Sequence, residues 1–194
     1  AGLHDIGKAS PAFQRKVKAQ EAVLDAAGLP FSRLFSQESA PHGTISTRVL
    51  DELLQTETTL AARPAKRIAL ALGGHHGSWP LPGAAERIKD DQIGGAKWDE
   101  VRRELVRALR TVFDPPTLTS WIANRTEENV FLTLFSGLTS VADWIGSSEI
   151  YFPYVEAPVE PGRYAEQSAG QARAALDDLG WTGYQPPAGR LSFP

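Results

Sequence analysis

The sequence predicts an all-α fold. Apolar residues recur at three- and four-residue spacing along nearly the whole chain, and no stretch alternates as a strand ladder would. One segment, about 126–147, is apolar around most of its circumference and is expected to be central and buried. The 194 residues suffice for one large domain with a real core. No internal repeat or low-complexity tract is present.

The elements follow in order. After Pro11, residues Phe13, Val17 and Leu24 suit a helix ending near Gly28, with Arg15, Lys16 and Lys18 on its outer face. Residues 29–40 read as a loop. From about Pro41, residues His42, Ile45, Val49 and Leu53 share one helix face. From about Arg63, residues Ala65, Ile68, Ala69 and Leu72 form another, which stops in Gly73-Gly74-His75-His76-Gly77. Residues 77–95 read as a long loop, of the kind that is usually functional or mobile. Trp98, Val101, Leu105, Leu109 and Val112 then repeat at helical spacing, with Arg103, Arg107 and Arg110 opposite. Asp114 before Pro115 and Pro116 suggests an N-cap entering a short helix. Asn124 with Glu127 suggests a capping box for the apolar helix. A proline-rich stretch, 148–162, precedes a last helix, about 163–179, ended by Gly180. The expected division is a domain over 1–180 and a linker over 181–194.

Composition narrows the function classes. A formal charge of −3 advertises no bulk attraction to nucleic acid, so any such contact must be local or assisted by cations. With no cysteine there are no disulfides or thiolate metal sites, which fits a reducing, cytoplasmic setting. No apolar run reaches membrane-spanning length. The chain starts at Ala1 and holds no methionine, so it is expected to be part of a longer chain, with upstream residues missing.

The chemistry is concentrated in few residues. His4-Asp5 pairs an imidazole with a carboxylate, and Gly7-Lys8 follows. Of the four histidines, His42 continues an inward helix face, while His75 and His76 lie seven past Ile68 and four past Leu72. Asp143 interrupts the apolar helix, where a lone buried carboxylate costs several kcal/mol unless paired or bound to a cation. Four imidazoles and two carboxylates can surround one or two divalent ions. Nitrogen–oxygen sets suit iron, manganese, nickel, cobalt or zinc, with magnesium less favoured. Two ions roughly 3.5–4 Å apart are the usual arrangement for phosphate-ester hydrolysis. Asp5 has two oxygens with which to bridge them, and Lys8, one turn beyond His4, can touch a phosphate oxygen.

In this order and spacing, His4-Asp5 with Gly7-Lys8, Gly74-His75-His76-Gly77 and Ala142-Asp143-Trp144-Ile145 resemble the HD phosphohydrolase superfamily. More closely, residues 3–147 resemble the HD nuclease domain of the CRISPR-associated nuclease–helicase of type I systems. The resemblance implies an α-helical domain with a central metal site that cuts single-stranded DNA. It also implies a helicase domain in the same or a separate chain, and recruitment by an RNA-guided surveillance complex. By the same resemblance His4 and Asp5 are metal ligands, with Asp5 bridging. His42, His75 and His76 hold the second metal, Asp143 holds the first, and Lys8 lies near the scissile phosphate. The family has a further histidine ligand one helix upstream of the His-Asp pair, before Ala1.

Plainer roles exist for the same residues. His75-His76 can be a polar helix end, and Asp143 a cap or a partner of a buried arginine. Arg103, Arg107 and Arg110 can be a solvated face paired with Glu100 and Glu104. Arg15, Lys16 and Lys18 are the candidates for a DNA path. Trp79 can stack on a base or anchor its loop to the core. Two other functions remain open: a phosphohydrolase of nucleotides or small phosphate esters, and a degenerate HD domain acting as a docking module in a CRISPR complex.

Overall fold

The structure, a computed structural model, describes residues 1–32, 40–58, 60–115, 125–155 and 159–183. Among the described residues the elements are all helical, with no strand. A 3-10 turn, Ile6–Lys8, is followed by α1 (Pro11–Gln14), α2 (Lys18–Ala26), α3 (His42–Glu57), α4 (Ala62–Gly73), α5 (Asp90–Ile93), α6 (Ala96–Phe113), α7 (Arg125–Gly146) and α8 (Pro161–Asp178). The chain forms two compact units, Ala1–Ala142 and Asp143–Pro194. No described helix is long and apolar enough to cross a membrane.

The core of the first unit is aliphatic. Ile45, Val49, Leu50, Leu53 and Leu54 of α3 pack with Ala65, Ala69 and Leu72 of α4, joined by Ile6 and Val106. The residues at the α3–α4 crossing are small because the backbones nearly touch. A Cβ on Gly43 would lie 2.5 Å from the Gly73 carbonyl oxygen, and one on Gly73 would strike the Thr47 hydroxyl. This crossing sets the start of α3, with His42, beside the end of α4, with His75 and His76.

Several expectations from periodicity are corrected. The single helix after Pro11 is two helices. Ser10 caps α1, its hydroxyl accepting from the Phe13 N–H, but Val17 is extended (φ −113°, ψ 96°) and exposed, so the helix breaks there. Gly28, at φ +84°, then ends α2 with Leu29 N–H bonded to the Leu24 carbonyl. The loop over 77–95 carries the short α5. In α6 the buried face is Trp98, Arg102 and Val106, whereas Leu105 is 43% exposed. Arg102 is inside because its guanidinium has acceptors there: the backbone carbonyls of Ala9 at 2.7 Å and Ile93 at 2.9 Å, and the Asp99 carboxylate. Asp114 is the C-cap of α6. Its left-handed backbone (φ 38°) lets its N–H bond the Arg110 carbonyl. The expected helix beyond Pro116, the Asn124 half of the capping box and the tail from Pro186 lie outside the described residues.

The largest correction concerns α7. It buries its polar stripe, Glu128, Ser136, Thr139 and Ser140 with Leu132, and leaves Val130, Phe131, Leu134 and Leu138 exposed. The stripe has partners on α4. Arg63 and Arg67 face the buried Glu128 carboxylate, and the Ser136 hydroxyl donates to the Ala71 carbonyl at 2.9 Å. Hydrogen bonding, not apolar content, decides which way this helix turns.

Candidate metal centre

Three segments meet at the centre: the turn carrying His4 and Asp5, the first residue of α3, and the end of α4. The turn is pinned by one hydroxyl. Ser46 Oγ donates to the His4 carbonyl at 2.6 Å and accepts from the Gly7 N–H at 2.9 Å. Gly7 presses directly on α3, and buried Ser10 donates to its carbonyl at 2.7 Å. Glycine is therefore demanded two residues after Asp5 by close approach.

The imidazoles are held from behind. The Nδ1 of His75 lies 2.7 Å from the Leu72 carbonyl, and that of His4 lies 3.0 Å from the Ala1 carbonyl. A carbonyl only accepts, so each Nδ1 carries a proton, and in the neutral ring each Nε2 offers its lone pair to the centre. His42 Nε2 is 3.4 Å from His75 Nε2 and 2.9 Å from His76 Nε2. The cluster grades from inside to outside: His75 is fully buried, His4, Asp5 and His42 are half-buried, and His76 is exposed.

Asp5 sits against all of them. Its Oδ1 is 3.1 Å from His42 Nε2 and 3.5 Å from His75 Nε2, and its Oδ2 is 3.5 Å from His4 Nε2 and 2.6 Å from Lys8 Nζ. Burial raises its pKa, but the His42, His75, Lys8 and His4 side chains crowded against it outweigh that. The carboxyl is held well below the usual carboxylate range. Oδ1 itself is buried and makes no hydrogen bond of good geometry, although two ring nitrogens face it. An orphaned carboxylate oxygen opposite imidazole lone pairs is the donor set that a divalent cation satisfies. Two groups have ligand atoms within 4.8 Å of one another, His42 with His75 and His76, and His4 with Asp5 and His75. The residues present fit a metal ion.

The other sequence candidates fall in different places. Lys8 pairs with Asp5 and stands 5.7 Å from the centre of the Phe13 ring. Phe13, which sequence reasoning left without a site role, meets His42 edge-on at 5.5 Å. Asp143 belongs to the second unit, near the end of α7, where Ser147 Oγ donates to its carboxylate at 3.3 Å. Arg15 is engaged locally, with Glu21 and the Ser32 carbonyl, and over the Phe31 ring. Lys18 lines a separate cleft with Glu21 and Asp25. Only Lys16 of that basic set reaches the groove that His42 and His76 line. Trp79 lines the same groove, and its indole N–H donates to Ser136 Oγ at 3.0 Å, anchoring the loop to α7. Gly74 must lack a Cβ because the Trp79 ring lies against it. Ser46 was missed because an isolated serine on an apolar helix carries no signal of its own.

Known proteins resemble this chain in sequence and fold. The chain is 33% identical over 187 residues to the CRISPR-associated endonuclease/helicase Cas3 of Thermus thermophilus, covering 94% of this chain and 20% of that protein. It therefore spans about a fifth of that relative's length. A solved chain described as a CRISPR-associated protein superposes with a TM-score of 0.82 at 35% identity, covering 98% of this chain and 21% of that one. The Thermus thermophilus cas3 HD domain, crystallised in the presence of Ni2+, superposes with a TM-score of 0.66 at 30% identity, covering 94% of this chain and 66% of that one. The family described as Cas3, HD domain matches residues 1–152, most of the chain, and on that match the chain belongs to the Cas3 HD domain family.

Proposed function

We propose that this chain is a metal-dependent nuclease that hydrolyses phosphodiester bonds in single-stranded DNA during type I CRISPR interference. The observation that carries this reading is the convergence of all four histidines and Asp5 on one centre. His42, His75 and His76 would hold one ion and His4 and Asp5 a second, for which the sequence resemblance also implies Asp143. A divalent ion here would lower the pKa of bound water and steady charge developing on the phosphate. Iron, manganese, nickel, cobalt and zinc all suit the donor set. The relative crystallised with Ni2+ agrees with a transition metal.

The chain's own residues supply orientation. The Leu72 and Ala1 carbonyls fix the His75 and His4 rings, so their lone pairs are aimed before any ion arrives. Lys8 holds one Asp5 oxygen and leaves the other facing the imidazoles. An incoming phosphate would draw the Lys8 ammonium away from Asp5 and be held by it as a point charge. His76, at the solvent edge, marks the side from which a strand reaches the centre. The partners are a helicase domain, approached through residues 181–194, and an RNA-guided surveillance complex in the cytoplasm.

The test is cleavage of linear and circular single strands by protein loaded with manganese or nickel. Chelation is expected to abolish cutting, and Asp5→Ala to lose both metal and activity. Cutting that survives either treatment overturns the reading. Turnover of a free nucleotide in preference to single-stranded DNA would instead favour a small-substrate phosphohydrolase.

A further inference from the structure

We infer that the groove running from His42 and His76 beneath the 78–92 loop seats the DNA strand on one side of the cleaved bond, with Arg87 and Lys16 as its phosphate contacts. This rests on the nuclease reading above and adds a polarity to it: one flank of the scissile phosphate is held by this chain alone. The groove has a volume of about 750 Å³, within the range of ligand-sized clefts, roughly 300–1,000 Å³.

Its lining matches a strand. Among the described residues, Lys16 and Arg87 stand in it with no carboxylate in the lining, and neither makes an ion pair. The nearest acidic side chain in sequence, Glu86, is drawn off to Lys66 at 3.1 Å. Lys16 Nζ sits 4.6 Å from the Phe13 ring centre, and Phe13 in turn meets His42. The first turn of α3 enters the same groove with no side-chain cap, so its partial positive charge is open to a phosphate. Leu81 is 74% exposed there, an apolar face for an unstacked base, next to a Trp79 wall fixed by Ser136. Cations for the backbone, apolar surface for the bases and a metal cage at one end form a single continuous path.

The experiment measures anisotropy of a labelled twelve-residue oligothymidylate in EDTA, so that nothing is cut. Arg87→Ala and Lys16→Ala are each expected to weaken binding about three- to tenfold and to lower the salt slope by about 0.7, the value for one lost phosphate contact on a single strand. With manganese loaded, each should raise KM, and excess strand should restore the rate. Lys97→Ala, an exposed lysine paired with Glu100 and outside the groove, serves as control and should bind as wild type. Wild-type affinity in Arg87→Ala and Lys16→Ala, or equal weakening in Lys97→Ala, overturns the groove assignment while leaving the nuclease reading intact. Manganese-loaded wild type that leaves the strand uncut overturns the nuclease reading, and the groove assignment with it.

Discussion

Gly7 bears on His42 so closely that a Cβ added to it would stand 2.2 Å from the His42 carbonyl oxygen. One atom would therefore push the turn that carries His4 and Asp5 off the helix that carries His42. Gly7→Ala is expected to destabilise the fold by about 1–3 kcal/mol, the range for overpacking a tight contact, and to weaken metal binding. Gly137→Ala is the contrast. That glycine lies within α7 with open space around it, so alanine there should stabilise by roughly 0.5–1 kcal/mol. Urea denaturation of the metal-free proteins checks both, and a Gly7→Ala midpoint equal to wild type would contradict the packing argument.

The two ligand groups share His75, which has one lone pair to give because its Nδ1 is committed to the Leu72 carbonyl. His75→Ala should therefore reduce metal uptake whichever group takes the ion, whereas His76→Ala should leave the His4, Asp5 and His75 group able to take one. Metal content after gel filtration separates the cases. Equal residual metal in the two variants would show that the groups do not share a ligand.

The bond from Trp79 to Ser136 ties the loop after His76 to α7. Trp79→Phe keeps the ring against Gly74 and removes the N–H. The expected loss is about 1 kcal/mol, the net worth of a typical hydrogen bond. Ser136→Ala should cost somewhat more, because it also removes the bond to the Ala71 carbonyl. The double variant should lose less than the sum of the two, since one bond is common to both. A strictly additive result would mean that the bond contributes nothing.

Glu160 caps α8, its carboxylate accepting from the Gly162 and Arg163 N–H groups at 2.9 and 2.8 Å. Those bonds hold its pKa below the usual carboxylate range. A depressed folded-state pKa means that the cap contributes fully above the ordinary unfolded value, near ~4.3, and is lost as pH falls through the lower folded value. The amide resonances of Gly162 and Arg163 should therefore move only below that ordinary value. In Glu160→Gln the same movement should vanish, and a transition at or above the ordinary value would refute the capping account.

The helical architecture and the residues that meet at the centre were legible for a physical reason. Histidine is scarce in this chain, and a His at a helix end or on an inward face is conspicuous against alanine and leucine. The backbone supports were not legible. Ser46, which locks the turn, looks like any serine in an amphipathic helix. Arg102 reads as a surface cation because periodicity does not reveal that the Ala9 and Ile93 carbonyls point at it. The orientation of α7 was misread for a related cause: apolar count predicts burial only when the polar residues have nothing to bond, and Ser136 and Glu128 have partners on α4. Arg87 sits in a loop with no period, so only the folded groove shows its company.

Groups that are not candidate ligands shape the centre: Gly43 against Gly73, the Ser46 hydroxyl between the His4 carbonyl and the Gly7 N–H, and the Leu72 carbonyl behind His75. Groups outside the candidate ligand set therefore hold the ligand-bearing segments together, which predicts a fold that stands without its metal, unlike domains that fold only around one. Chelation should silence such a protein without unfolding it, and added metal should rearm it at the speed of ion binding. On the proposed nuclease reading, supply of the ion, rather than refolding, then decides when cutting can begin.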